Sequence, residues 1–202
     1  MLIIGVTGPS GAGKGAVSDY LKSKYGFKII DADRVYHDLI SAPSNCVSEL
    51  SEHFGEGILN EIGGIDRKSL SLLVFGEENR ENLLLLNKIT HKYVMSEIEK
   101  TVESYSQSGA DVTVIDAPLL IEAGVDKMCD FVIGVLADKN IRAERIAKRD
   151  GRDKDAALLR INSQKPDSFY EEKCFFLLQN NSNVKALEEF VDKCLKSGAI
   201  IK

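Results

Sequence analysis

A chain of 202 residues, 44% apolar and with a net charge of −5, is long enough for one globular domain with a buried core, which excludes a disordered chain. No apolar run approaches the roughly 20 residues that span a bilayer, and the acidic balance argues against a general nucleic-acid binder, whose surface needs a basic footprint. The charge is uneven: Asp138–Lys165 holds nine Lys and Arg against five Asp and Glu, so a small anion held at one place is expected.

Leu2–Thr7 (LIIGVT) is an unbroken apolar run, as in a strand buried on both faces of a parallel sheet. The opening lacks the basic region of a signal peptide and is expected to be strand instead. Residues 14–24 read as helix, with Val17, Tyr20 and Leu21 at i, i+3 and i+4. Lys28–Asp31 (KIID) is a short second strand, and a helix starts near Asp33. The stretch 41–110 is too rich in helix for a simple crossover. It contains a loop at Gly55–Gly64 and a long helix over Asn79–Tyr105, marked by Leu83, Leu86, Ile89, Tyr93 and Ile98. Further strands are expected at Val112–Asp116, Phe131–Leu136 and Phe175–Gln179, with a last helix over Val184–Lys196. Strands alternating with helices give an α/β fold on a parallel sheet. Cys46, Cys129, Cys174 and Cys194 show neither CxxC pairing nor metal-ligand spacing, so buried reduced thiols and a cytoplasmic location are expected. His37, His53 and His91 are scattered.

Gly8–Val17 (GPSGAGKGAV) follows the first strand and opens the first helix. GxxxxGK in that setting has a physical purpose: glycines let the backbone wrap so that N–H groups converge on phosphate oxygens. The helix presents its positive end to the same anion, and Lys14 reaches the outer phosphates. The hydroxyl residue that normally follows the lysine is missing, since Gly15 and Ala16 stand there. That hydroxyl usually ligates Mg²⁺, an ion that keeps several waters and leans on substrate phosphates. Weakened metal binding is therefore expected, and its abolition is not. Lys-Gly at this point also resembles adenylate and cytidylate kinases, which place threonine next where this chain has Ala16.

Asp31 and Asp33 (IDAD) end the second strand and Asp116 (VIDAP) the third, and ligands of open α/β sheets collect at such strand ends. One carboxylate can take the proton of an attacking hydroxyl and another can hold metal-bound water. The alternative is that Asp31 or Asp33 caps the next helix. Arg142, Arg145, Arg149 and Arg152 are spaced 3, 4 and 3 residues apart and share one helical face. Arg145 and Arg149 read as phosphate ligands. Arg142 and Arg152 read as solvated positions balanced by Glu144, Asp150 and Asp153. Gly151 is expected to interrupt the helix and to serve as a hinge for a closing lid.

Taken together, IGVTGPSGAGKG, IIDADRV, LNKITHKYV, VIDAPLLIEAG followed by DFVIGVLA, ERIAKRDGRDKDAALLRINSQ and LLQNNSNVKALEEFV resemble, in order and over nearly the whole chain, the dephospho-coenzyme A kinases. The resemblance implies a three-layer P-loop kinase fold: a parallel-sheet core (about 1–40, 110–138 and 174–202), a helical substrate-side insertion (about 41–109) and a helical lid (about 139–173). It implies transfer of the ATP γ-phosphoryl group to the ribose 3′-hydroxyl of dephospho-coenzyme A, with Mg²⁺ carried by ATP and touched through water by Asp33 or Asp116. Asp33 matches the base, Lys14 the phosphate-binding lysine and Arg149 a lid arginine. Gly11, Ala12, Gly13, Lys14, Gly15, Ala16, Arg145 and Asn181 match ATP-binding positions. Thr7, Asp33, Asp116 and Leu119 match acceptor-binding positions. No nucleic-acid or membrane partner is implied, and a monomer or weak homo-oligomer is expected.

Two departures accompany the match. The family loop normally continues Lys-Ser-Thr, and its histidine segment continues with proline where this chain has Lys92. Two other readings stay open: a related small-molecule or nucleoside monophosphate kinase, which would not need DAPLLIEAG, and a non-catalytic nucleotide-binding descendant, which would not need a base.

Overall fold

Five runs of β-branched and aromatic residues form strands β1 (Leu2–Thr7), β2 (Lys28–Asp31), β3 (Val112–Asp116), β4 (Phe131–Leu136) and β5 (Phe176–Gln179). The structure, a computed structural model, describes residues 1–151 and 153–197. Arg152 and the last five residues of the expected core lie outside the described residues. The sheet order is β2-β3-β1-β4-β5; β1 runs parallel to β3 and β4, and β4 parallel to β5. With β1 central, Ile4 and Val6 are fully buried, as are Val114, Ile133 and Val135 on its neighbours. The fifth strand begins one residue later than the sequence suggests. Phe175 stays 75% exposed and packs edge-on against Phe176 with ring centroids 4.8 Å apart.

Nine α-helices lie among the described residues. In chain order they are α1 (Lys14–Tyr25), α2 (Ala32–Ser41), α3 (Asn45–Phe54), α4 (Arg67–Val74), α5 (Arg80–Gln107), α6 (Lys139–Asp150), α7 (Lys154–Asn162), α8 (Asp167–Lys173) and α9 (Val184–Ser197). The chain forms two compact units, one of residues 1–30 and 105–202, the other of residues 31–104.

In the first unit, Val17 and Leu21 of α1 and Leu187, Val191 and Leu195 of α9 share a core with the central strands. Asp192 of α9 ties the two helices together, accepting from Tyr20 (2.8 Å), Tyr25 (2.7 Å) and Lys24 (2.7 Å) of α1. Burial pushes this carboxyl up, but the hydrogen bonds from Lys24, Tyr25 and Tyr20 outweigh it and hold the pKa down at about 2. Helix α6 ends at Gly151, whose φ of 62° and N–H bond to the Ala147 carbonyl form the expected helix stop.

The second unit has its own core, with Ile40, Val47, Leu50, Ile58, Leu70 and Ile89 among its members. Its helices are capped locally by Asp31, Ser44 and Asp66. The expected loop at Gly55–Gly64 is more ordered than its glycines suggest. Glu56–Ile58 forms a 3₁₀ turn, and Leu59 bridges Ile65, because Ile58 is fully buried and pins the segment. Lys92, at the position of the family's proline, donates to Glu49 of α3 at 2.5 Å. His91 is half-buried, and burial pulls its imidazole below the ordinary value.

All four cysteines are free; Cys46 and Cys194 are buried, Cys129 and Cys174 partly so. Burial pushes the four thiols up, Cys129 to about 12 and the others to about 11, which keeps them protonated and unreactive. Among the described residues no helix is long and apolar enough to cross a membrane.

Candidate active site

The turn from β1 into α1 is built to receive an anion. Gly13, at the N-cap of α1, has φ 102° and offers no side-chain cap, so first-turn amides that Ser or Asp would ordinarily satisfy have no capping side chain. The first turn holds no acidic residue, leaving the positive end of the helix uncompensated. Only glycine suits position 13, since a Cβ there would run into the Asn180 amide. At Gly11, φ 80°, a Cβ would come within 2.7 Å of the Arg142 carbonyl oxygen.

The carbonyls of this loop are taken up by side-chain donors. Lys14 Nζ donates to the Gly8 carbonyl at 2.9 Å and Arg142 Nε to that of Ser10 at 3.0 Å. Arg145 Nη1 donates to the carbonyls of Gly11 and Ala12, both at 3.3 Å, and Asn180 Nδ2 reaches Ala12 at 2.8 Å. A trans peptide sets each N–H antiparallel to the carbonyl before it. Anchoring the Ser10 and Ala12 carbonyls therefore turns the Gly11 and Gly13 amides the opposite way. Lys14, Arg142 and Arg145 hold loop carbonyls, and the Gly11 and Gly13 amides are turned away from those anchors, an arrangement that suits phosphate oxygens.

Of the expected acceptor residues, Thr7, Asp116 and Leu119 lie at or just beyond the carboxyl ends of β1 and β3. Asp116 pairs with Val6 across β1 and β3, at the carboxyl ends of both strands, and accepts a hydrogen bond from Ser18 Oγ of α1 at 2.7 Å. Thr7 is fully buried and its Oγ1 donates to the Pro118 carbonyl at 3.3 Å, fixing the turn after β3. Leu119 in that turn is 47% exposed. Asp33 stands in the first turn of α2 within the 31–104 unit, while the cap of α2 is Asp31, which accepts from the Arg34 N–H at 3.1 Å. The alternative capping role thus falls to Asp31.

The arginine face divides differently from the expectation. Arg142 is not solvated: it is 4% exposed, because its donors find the Ser10 carbonyl, Gln164 Oε1 at 2.9 Å and Asp167 at 3.7 Å. Burial pulls this guanidinium below its ordinary value, while Asp167 and Tyr170 pull the other way. Arg145 lies against the loop carbonyls and also donates to the Asn180 carbonyl at 3.0 Å. Arg149 is exposed and pairs with Asp150, with Nε to Oδ1 at 2.7 Å and Nη2 to Oδ2 at 3.1 Å. Asn181 is paired with Asp138: it accepts from that residue's N–H and donates to its carboxylate, both at 2.8 Å, linking the turn after β4 to the turn after β5.

Sequence reasoning missed Gln164 and Ser18, placed the 180–183 loop near the nucleotide base without the grip of Asn180 on Ala12, and misplaced Arg142. The signal for Asn180 was present, since a residue just past a strand at the carboxyl edge of the sheet lies where the ligand-binding loops gather. Nothing local marks Gln164 or Arg142, whose partner Ser10 is 154 and 132 residues away.

A family model described as "Dephospho-CoA kinase" matches residues 2–186. A dephospho-CoA kinase of Carboxydothermus hydrogenoformans is 37% identical over 187 residues, 93% of this chain and 89% of that protein. Among solved structures, TT1252 of Thermus thermophilus aligns with a TM-score of 0.76 and 27% identity over 98% of this chain and 96% of its own. The dephospho-CoA kinase of Campylobacter jejuni aligns at 0.69 and 24% identity, covering 96% of each chain; at that identity the likeness concerns the fold. The sheet order, the loop and its flanking helices are those of a P-loop kinase. Sequence match, loop architecture and fold agree: the chain belongs to the dephospho-CoA kinase family.

Proposed function

We propose that this protein transfers the γ-phosphoryl group of ATP to the ribose 3′-hydroxyl of dephospho-coenzyme A, completing coenzyme A, and that it does so in the cytoplasm. The observation that carries the reading is the loop Gly8–Gly13, held from its carbonyl side by Arg142, Arg145, Asn180 and Lys14. Gly11–Ala16 bind the ATP phosphates, Lys14 and Arg145 supply fixed positive charge, and Arg149 neutralises charge on the transferring group. Asn181 lies by the nucleotide base. Asp33 accepts the proton of the attacking hydroxyl, and Thr7, Asp116 and Leu119 bound the acceptor side. Residues 41–109 serve as the substrate-side insertion and 139–173 as the lid.

Mg²⁺ fits this site as an ion that arrives with the nucleotide. No group of three or more His, Cys, Asp or Glu that could hold a metal gathers among the described residues. One oriented carboxylate, Asp116 steadied by Ser18, is what a hard cation bound mainly by phosphates and water needs. Asp116 would hold it through water, with Asp33 as the alternative. Bound there, the ion would neutralise phosphate charge.

The test is ADP release from Mg-ATP with dephospho-coenzyme A, AMP, CMP or no acceptor. Turnover dependent on dephospho-coenzyme A supports the reading. Preference for AMP or CMP would move the protein to the nucleoside monophosphate kinases, and ATP binding with no turnover on any acceptor would make it a binder.

A further inference from the structure

Ser10 is held at both of its backbone groups by side chains from the 139–173 segment. Its N–H donates to Gln164 Oε1 at 3.1 Å, its carbonyl accepts from Arg142 Nε at 3.0 Å, and Arg142 Nη2 donates to the same Gln164 oxygen at 2.9 Å. The three residues close a ring. Both partners of the Gln164 oxygen are donors only, so the amide has one orientation that satisfies them. Ser10 is 8% and Arg142 4% exposed. A guanidinium does not deprotonate in a protein, and burying it without acceptors is costly; here Asp167, at 3.7 Å, supplies the third side.

We propose that Arg142 and Gln164 are positioning residues for ATP, setting the direction of the peptide between Ser10 and Gly11 and hence of the first loop amide offered to phosphate. This inference rests on the reading of the loop as the nucleotide site. The loop's own turn, Ala12 N–H to the Pro9 carbonyl at 3.2 Å, closes without help from the ring, so a fold requirement alone does not call for it. What the ring adds is direction: with the Ser10 carbonyl fixed on Arg142, the Gly11 N–H points away from it. Gln164 lies two residues beyond the end of α7, so loop geometry is linked to the position of that helix.

ATP binding is measured at equilibrium with no acceptor present, together with hydrogen exchange at the Ser10 amide. Gln164→Leu removes the shared acceptor and should weaken ATP about tenfold, the scale of one lost hydrogen bond in a partly buried setting. The Ser10 amide should exchange faster in the same variant. Gln164→Glu keeps an acceptor for both donors and should restore affinity to within about twofold. Faster Ser10 exchange with unchanged ATP affinity in Gln164→Leu would overturn the proposal, as would a Gln164→Glu protein no better than the Leu variant. If Gln164→Leu does not fold, Arg142→Lys reads the same ring: an ammonium cannot span Ser10 and Gln164 as the guanidinium does, so unchanged ATP affinity there also overturns it. Because no acceptor is present, a failure to phosphorylate dephospho-coenzyme A would leave this result standing.

Discussion

The phosphate loop and the 31–104 unit are stabilised over very different distances along the chain. The loop's backbone is gripped by Arg142, Arg145, Gln164 and Asn180, residues between 132 and 168 positions from the groups they hold. In the helical unit, Asp31, Ser44 and Asp66 cap helices that begin beside them, with partners two or three residues away. The glycines let the loop adopt its shape, and the folded sheet brings distant donors behind it. The helical unit carries its instructions locally, so damage to one helix start should stay there.

The largest effect separates binding from chemistry. Asp33, the proposed base, belongs to the 31–104 unit, whereas the proposed phosphate contacts belong to the loop. Asp33→Asn should therefore lower transfer by about 10²–10⁴-fold, the usual share of a positioned base, with ATP affinity unchanged in an equilibrium titration. Near-normal turnover would remove Asp33 from the mechanism. Gly13→Ala comes next. Left-handed backbone costs a non-glycine residue about 1–2 kcal/mol, and the added methyl meets Asn180, so ATP affinity should drop at least tenfold, on the scale of that strain. Normal ATP binding by the Gly13→Ala variant would show that the loop is less tightly held than its contacts indicate.

Ser44→Ala tests the local half of the comparison. Ser44 Oγ accepts from the Val47 N–H at 3.1 Å and donates to the Leu39 carbonyl at 2.7 Å, and losing such a cap costs about 1 kcal/mol. The melting temperature should fall while the ATP dissociation constant does not move; a change in ATP affinity would break the separation of the two regions. Gly15→Ser should have the smallest effect on the fold. A Cβ at position 15 meets nothing within 4 Å, and serine replaces glycine in a helix with a gain of a few tenths of a kcal/mol. The sharper readout is metal: half-saturation by Mg²⁺ should shift to lower concentration, and an unmoved requirement would show that the absent hydroxyl is not what limits metal binding.

Local pattern carried most of the fold. β1, β2, β3 and β4 fall on the apolar runs that predict them, and α1, α5 and α9 lie within two residues of their periodic stretches. The misses have physical causes. Phe175 has strand propensity but sits before the ladder, against Phe176. The glycine-rich 55–64 stretch orders around buried Ile58, a contact no local window reveals. At the site, Lys14 and the loop glycines were legible because their chemistry lies in the backbone and its spacing. Arg142 was not, because an arginine on a helix reads as solvated until its acceptors are known. Asn180 and Asn181 are adjacent and identical in type, and only the strand's direction decides that the first grips Ala12 and the second Asp138.

The most direct test of the account is the product itself. After the protein is incubated with Mg-ATP and dephospho-coenzyme A, mass spectrometry counts the added phosphates and phosphorus NMR locates them. A single new phosphate on the ribose 3′-hydroxyl, absent when the Lys14→Met variant replaces the wild type, is the predicted result. A phosphate placed elsewhere, or unchanged acceptor beside bound ATP, would contradict it.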